Sequence, residues 1–239
     1  MSFRTLATQL FRAVMLAACL TGLAGRAEAQ IPARDTVTDE RVWLVVALQS
    51  RADRPGPWRW SFENILRSRD GVQTIDVAGV RPIVNYTIDS HSTVGGGYAY
   101  VVNLPETTAL AEHRIFQQYI WTNKFGAGTF TVRERLEERF LEGNSGVAVR
   151  LRQQFRYSRP VNRGSKFSLI GYDELFIHFN ETTAYKQGVD QNRIFGGVGQ
   201  TINRTLRYEV GYLNQYAPSH GVAAARLNHV LSGSFGISF

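Results

Sequence analysis

Long stretches of this chain alternate between polar and apolar residues with a period of two. The alternation runs through residues 129–142, 146–159 and 206–217 and through the C-terminal segment 228–239. In 146–159, four polar residues alternate with four apolar ones: Arg150, Arg152, Gln154 and Arg156 against Val149, Leu151, Phe155 and Tyr157. A period of two places alternate side chains on opposite faces of a β-strand. The pattern therefore predicts strands with one polar and one apolar face.

Eleven such segments are rich in Val, Ile, Phe, Tyr and Trp and are bounded by Gly, Asn, Pro or Ser. Each has ten residues or more, whereas strands of globular proteins typically have about 5–6. Strands that cross a bilayer need about 9–11 residues. Short links alternate with longer ones, which is typical of outer-membrane barrels. The predicted strands are 42–51, 58–69, 74–88, 93–103, 112–123, 129–142, 146–159, 165–180, 192–203, 206–217 and 228–239.

The number of strands is open at this point. An antiparallel barrel in a single bacterial chain normally closes with an even number of strands. Either residues 31–41 add a strand, which gives twelve, or segment 42–51 lies outside the wall, which gives ten. We favour twelve. The sequence thus predicts an all-β fold, an antiparallel up-and-down transmembrane β-barrel of about 12 strands, with 10 as the alternative.

The first 29 residues have the features of a secretory signal peptide. Two arginines precede the short apolar segment 13–20, and Ala27-Glu28-Ala29 supplies a small-x-small cleavage site. Cleavage after Ala29 leaves residues 30–239 as a single β-barrel domain. The alternative is a lipoprotein signal ending at Cys19, but the apolar stretch before that cysteine is short.

Composition excludes several classes of protein, binding site and partner. The only cysteine, Cys19, leaves with the signal peptide, which excludes a disulfide scaffold and a cysteine-based zinc site. The longest apolar run after the signal is 42–48, whereas a membrane-spanning helix needs about 20 residues, so a membrane-inserted chain must be a closed barrel. The net charge is +7, but the basic residues lie on alternating strand faces and no helix is predicted that could enter a groove. Nucleic acid is therefore not an expected partner.

Two features favour an apolar face that points outward into lipid. Aromatic residues lie near strand ends, as in the girdles of outer-membrane barrels: Trp58, Trp60, Tyr119, Trp121, Tyr212 and Tyr216. The chain also ends on an alternating apolar set, Phe235, Ile237 and Phe239, which is similar to the C-terminal assembly signal of outer-membrane proteins. The expected partners are outer-membrane lipid and the barrel assembly machinery. Three acidic residues fall on the apolar side and are expected near a membrane boundary: Glu134, Glu138 and Asp173.

An ordered set of motifs runs through residues 40–239. It comprises Glu63, Arg81-Pro82, Gly97-Tyr98-Ala99-Tyr100, Glu112-His113-Arg114-Ile115-Phe116-Gln117-Gln118, Arg133-x-Arg135-x-Glu137-x-Arg139-Phe140, Arg150-x-Arg152, Asp173-Glu174, Gln191-Asn192-Arg193 and Gly211-Tyr212-Leu213. This set resembles the bacterial domain-of-unknown-function 2490 family. The resemblance implies an outer-membrane β-barrel-like protein whose activity is not established, and it carries over no catalytic residues.

The polar faces carry a candidate charge lattice in the interior of the barrel. With Arg59 and Arg67, which share the same parity, twelve arginines face five glutamates. Buried arginines need carboxylate partners, so one interpretation is a cross-strand ion-pair lattice that rigidifies the barrel. The other is a narrow path that favours small anionic solutes, and the two are compatible. The lattice residues are Glu63, Arg81, Glu112, Arg114, Arg133, Arg135, Glu137, Arg139, Arg150, Arg152, Arg156, Glu174, Arg193, Arg207 and Glu209.

Signals for catalysis are weak. The five histidines are scattered without metal-ligand spacing. His178 is the best candidate for a lipid-acting outer-membrane enzyme, which would pair it with a nearby hydroxyl, but no serine follows it at a suitable spacing. We therefore assign no catalytic residue, metal or cofactor from the sequence. The alternatives to a passive barrel or channel remain such an enzyme and a soluble periplasmic ligand carrier.

Overall fold

Eleven long strands make up the wall of a closed β-barrel in a computed structural model, which describes residues 36–51, 53–104, 108–219 and 224–239. No helix in these residues is long and apolar enough to cross a membrane. The strands have 12 to 16 residues each. They are β1 (Val37–Gln49), β2 (Trp58–Arg69), β3 (Thr74–Thr87), β4 (Ser92–Asn103), β5 (Leu110–Phe125), β6 (Gly128–Leu141), β7 (Ala148–Pro160), β8 (Phe167–His178), β9 (Gly188–Thr201), β10 (Leu206–Ala217) and β11 (Arg226–Ser238).

Strands that are consecutive in sequence pair in antiparallel fashion, and β1 closes the barrel against β11. This last pair is parallel, with Val37 opposite Arg226 and Gln49 opposite Ser238. The all-β barrel is thus confirmed, with eleven strands, a number between the two expected values. Residues 37–41 lengthen β1 and do not form a twelfth strand. An odd number of strands makes the first and last run in the same direction, which is why the closure is parallel.

The two ends of the barrel differ in their connections. We call one the turn end, because it includes the two-residue turn between β5 and β6, where Gly126 has φ of 58°. The loop end includes the longer connection between β8 and β9, residues 179–187. Because the strand count is odd, β1 begins at the loop end whereas Phe239 lies at the turn end. The predicted signal peptide, 1–29, and residues 31–35 lie outside the described residues.

Apolar side chains cover the outside of the wall, and charged side chains fill the inside. Leu231 and Ile194 are 57% and 55% exposed, whereas Arg135 and Glu137 are both 2% exposed. A soluble barrel buries its apolar face inside, and here that order is reversed. The alternation in the sequence therefore separates an apolar outer surface from a polar interior.

Outward-facing aromatic rings gather at the turn end. Trp58 packs edge-on against Tyr86 at 4.9 Å between ring centroids, and Trp60 packs against Phe239 at 5.4 Å. Trp121, Phe130, Phe125 and Tyr157 form further edge contacts in the same region. Tyr100, Phe140 and Tyr216 lie close to strand ends at the loop end, whereas Tyr212 lies in the middle of β10. Two aromatic bands thus flank the apolar wall.

Two of the acidic residues on the outer face lie at mid-height, and the expectation that they sit near a boundary is wrong for them. Glu134 lies in the middle of β6, and its carboxylate accepts a hydrogen bond from the Gln153 amide at 2.7 Å. Asp173 lies in the middle of β8 and accepts one from Asn192 at 3.0 Å. Pairing with an amide on the next strand is how the wall accommodates them, because an unpaired polar group would be costly among apolar neighbours. Glu138 lies three residues from the end of β6.

One sector of the interior is apolar. Trp43, Ile170, Phe195, Leu213 and Val230 pack together there, with Tyr172 stacked on Phe195 at 4.8 Å. Gly197 and Gly211 lie opposite each other beside this cluster. A Cβ on either glycine would lie within 2.7 Å of the Phe195 ring. The two glycines therefore make room for that ring.

Candidate functional site

The residues predicted to form the charge lattice lie on the inward faces of β2, β3 and β5–β10. Two networks hold most of those of β5–β8, and two separate pairs lie outside them, Glu63 with Arg81 and Glu209 with Arg156. Arg207 lies at the turn end, where it donates to the Gln49 side chain at 3.3 Å. The structure thus brings most of the predicted lattice together but leaves some arginines without a carboxylate.

The central network alternates charges across β6–β9 in the order Asp190, Arg150, Glu137, Arg152, Glu174 and Arg133. Arg152 donates to Oε1 of Glu137 at 2.9 Å and to Oε1 of Glu174 at 2.6 Å. Arg150 donates to the other oxygen of Glu137 at 2.6 Å. Each buried carboxylate therefore accepts from two arginines, which offsets the cost of desolvating the charges.

The second network closes the loop end of the interior. Glu112 accepts hydrogen bonds from Arg114 at 2.7 Å and from Arg139 at 2.5 Å. Tyr185, from the connection between β8 and β9, accepts from Arg139 at 2.8 Å, and its ring centroid lies 4.0 Å from the guanidinium carbon. Burial raises the pKa of the Tyr185 phenol, so this ring stays neutral under the arginine. The loop is thus anchored across the mouth of the barrel.

Arg135 lies apart from both networks. It is 2% exposed, and its guanidinium carbon lies 4.1 Å from the centroid of the Phe116 ring. Its hydrogen-bond acceptor is Gln118 at 2.7 Å, and Gln118 in turn donates to Asn85 at 2.7 Å. Its Nη1 atom has no hydrogen-bond partner among the described residues. A buried positive charge here is held by amides and an aromatic ring instead of a carboxylate.

Trp43, the one tryptophan on the inner face of the described strands, lies beside two further arginines. The guanidinium carbon of Arg67 lies 4.3 Å from the centroid of its ring, and that of Arg193 lies 4.7 Å from it. Neither arginine forms a salt bridge within the part of the chain that the structure describes. Arg193 lies directly opposite Glu174 in the strand register, yet its guanidinium lies over Trp43 and Phe176.

Two of the interior cavities lie on either side of this cluster. The larger, of about 420 Å³, is lined by seven arginines and three glutamates. The smaller, of about 330 Å³, lies toward the loop end and is lined by eight arginines and Asp190. Arg67 and Arg193 line both. The free space of the interior is therefore bordered by an excess of positive charge.

Comparison with known proteins identifies the family. The model of a family described as "Protein of unknown function (DUF2490)" matches residues 40–226. The chain belongs to this family. An uncharacterized protein of Methylorubrum extorquens is 28% identical over 225 residues, which cover 92% of this chain and 95% of the relative. No solved structure shows significant similarity to the chain. The matched residues include β2–β10 and most of β1, and they therefore include the residues that form the charged interior.

The histidine considered for catalysis is buried within the loop-end network. His178 lies with Nε2 3.1 Å from a nitrogen of Arg139 and Nδ1 3.3 Å from the Lys186 carbonyl oxygen. In the described ranges no serine or threonine hydroxyl forms a hydrogen bond with it. Those ranges also contain no group of three or more His, Cys, Asp or Glu residues that could hold a metal ion. The geometry around His178 is that of a structural contact with the anchored loop.

Sequence reasoning missed three residues of the interior. Trp43 lies in an uninterrupted apolar run, so strand parity gives no signal there. Asp190 precedes the predicted segment 192–203 and faces inward because of an irregularity in the pairing of β8 with β9. Tyr185 belongs to a loop, and its contact with Arg139 depends on how that loop folds back. Asp190 lies three residues before Arg193, so strand parity predicts the opposite face and gave no signal for an inward carboxylate.

The residues of the predicted assembly signal lie on the outward face of the last strand. Phe235 and Phe239 are 44% and 60% exposed. Ile237 alternates with them and lies opposite Leu206 of β10. Phe239 contacts Trp60, and its amide donates to the Gln49 carbonyl at 3.1 Å. The chain end is thus held against β1 and β2 at the turn end.

Proposed function

We propose that this protein is an outer-membrane β-barrel with a narrow interior path that favours small anions. The observation that carries the proposal is the reversed polarity of the wall, with exposed apolar side chains outside and charged side chains inside. Leu231, Ile194 and Leu169 are each more than half exposed, and such a surface is unstable in water but matches hydrocarbon. Aromatic bands at both ends and the predicted signal peptide support the same location.

The preference for anions follows from the charge of the cavities. Arginines outnumber carboxylates around both, and four of them, Arg67, Arg81, Arg152 and Arg193, border both spaces. Rings of positive side chains attract anions and repel cations in pores. The ion pairs between arginines and carboxylates, which include those of Arg81 and Arg152, rigidify the wall, so the lattice is compatible with a path for anions. A soluble carrier of lipid would need an apolar interior, and this interior is predominantly charged.

Planar bilayers test this function. The purified protein is inserted into a bilayer that separates two KCl concentrations, and the reversal potential gives the sign of the preferred ion. We expect preference for chloride, because the cavities carry an excess of positive charge. Arg67→Gln should shift the reversal potential toward that of potassium, and the exposed Arg159→Gln, with the same loss of charge outside the interior, should leave it unchanged.

Preference for potassium in the parent protein would contradict the anion path. Recovery of the native protein in the soluble periplasmic fraction would contradict the outer-membrane location itself.

A further inference from the structure

We infer that the interior contains a binding site for a small oxoanion, a carboxylate or phosphate group, formed by Arg67, Arg193 and the indole N–H of Trp43. The inference deepens the proposed function, because it names the class of anion that the interior binds and the place where it binds. It is carried by the arrangement of two guanidinium groups over one indole ring.

The arrangement concentrates positive charge without a direct salt bridge to either arginine among the described residues. Both guanidinium carbons lie within 5 Å of the centroid of the Trp43 ring, at 4.3 Å for Arg67 and 4.7 Å for Arg193. The indole provides a cation–π contact for each, but it removes no charge. Glu174, which lies opposite Arg193 in register, already accepts hydrogen bonds from Arg133 and Arg152. The two like charges therefore lie beside the same ring, without a carboxylate of their own.

Hydrogen-bond donors at this place also lack acceptors. Nε1 of Trp43 and Nε of Arg193 are both buried and have no partner within the described ranges. Arg193 donates one long hydrogen bond, of 3.4 Å, to Gln191. Leaving a buried donor unpaired costs free energy comparable to a lost hydrogen bond. A bound acceptor would satisfy these donors and neutralise the charge at the same time.

The chemistry of the donors selects an oxoanion. A guanidinium presents its N–H groups as a planar fork that matches two oxygens on one centre, whereas a halide offers a single point of contact. Arg67 and Arg193 border both cavities, so an anion between them would lie where the two spaces meet. Cavities of about 420 and 330 Å³ accommodate a small solute but no lipid.

Tryptophan fluorescence tests the site directly. Trp58, Trp60 and Trp121 lie on the outer face and are replaced by phenylalanine, so that Trp43 is the only reporter. The variant is folded in a phosphate-free, non-ionic detergent and titrated separately with sodium phosphate and sodium acetate at constant ionic strength, with sodium chloride as the control. We expect a saturable change in Trp43 emission with phosphate, acetate or both, and none with chloride. The anion that gives it identifies the preferred group.

Variants of the two arginines separate binding from a general effect of salt. Arg67→Gln and Arg193→Gln should abolish the saturable change. Arg67→Lys should weaken the apparent affinity at least tenfold, because lysine lacks the planar fork of N–H donors. The exposed Arg159→Gln should leave the apparent affinity as in the reporter parent. Heat-modifiable migration of each variant confirms folding. Absence of a saturable change in the reporter parent, its persistence in both glutamine variants, or an equal response to chloride would overturn the site. Because the measurement needs neither a bilayer nor conductance, its failure is distinct from failure of the proposed channel.

Discussion

Arg152 and Glu137 lie on neighbouring strands, two residues out of register, and join through a hydrogen bond of 2.9 Å from Nη1 to Oε1. The register places Arg150 directly opposite Glu137, and Arg150 takes the second oxygen of the same carboxylate. Glu137 is 2% exposed, so it is the buried counter-charge of both arginines. The strength of the lattice therefore depends strongly on this single carboxylate.

Glu137→Gln should destabilise the barrel. The amide keeps the shape but leaves two buried arginines facing each other with less negative charge between them. Loss of one partner of a buried ion pair typically costs about 3–5 kcal/mol. We expect a lower melting temperature, measured by circular dichroism in detergent, and a stronger anion preference in bilayers. Glu209→Gln, whose side chain is 27% exposed and pairs with Arg156 nearer the turn end, should cost less. Equal melting of Glu137→Gln and the parent would contradict a cooperative lattice.

A charged residue introduced on the outward face should destabilise the barrel in lipid. Val210 lies on the outer wall, opposite Val198 and Gly233, and is 38% exposed. An arginine at mid-bilayer height on such a wall costs about 2–4 kcal/mol. Val210→Arg should therefore reduce the yield of folded protein in lipid vesicles, measured by heat-modifiable migration. Gln215→Arg, on the inner face beside the smaller cavity, should fold like the parent. Equal yields of the two variants would reverse the assignment of the faces.

The polar pair in the middle of the wall should be dispensable for stability. Glu134 and Gln153 hydrogen-bond to each other in apolar surroundings, and replacing both partners of a hydrogen bond by apolar groups of similar shape is nearly neutral or stabilising. The double variant Glu134→Leu with Gln153→Leu should unfold in lipid at an equal or higher urea concentration than the parent. Glu138→Leu, close to the loop end, should change the midpoint little. A clear decrease for the double variant would indicate that the pair has a structural role in the wall.

The parallel closure predicts that the start of β1 and the end of β11 lie on opposite sides of the membrane. Short turns of outer-membrane barrels face the periplasm, so the start of β1 should face the cell exterior. In a background with Cys19 as the only native cysteine, Val37→Cys in intact cells should react with a membrane-impermeant maleimide. Arg204→Cys, in the turn between β9 and β10, should react only after the outer membrane is permeabilised. Labelling of both positions from the same side would contradict an eleven-stranded barrel.

The amino-acid sequence by itself determined the strands, because a period of two in hydrophobicity is a local property. All eleven predicted segments coincide with observed strands within a few residues, and β10 (Leu206–Ala217) coincides at both ends. The same parity was sufficient to assign Glu137 and Arg152 to the inner face. The periodicity reports which face a side chain occupies, since successive residues of a strand must point to opposite sides.

Only the tertiary structure decided how the barrel closes and which charges pair. Closure depends on the contact between β1 and β11, which are 189 residues apart in register, and no local pattern encodes a partner so distant. The pairing of charged side chains depends on strand register and on diagonal neighbours. Arg193 lies opposite Glu174 in register, yet its guanidinium lies over the ring of Trp43. Trp43 itself gave no signal, because its neighbours in the run 42–48 are apolar on both faces. Alternation fixes the face of a side chain, whereas its partner follows from the arrangement of strands around the whole barrel.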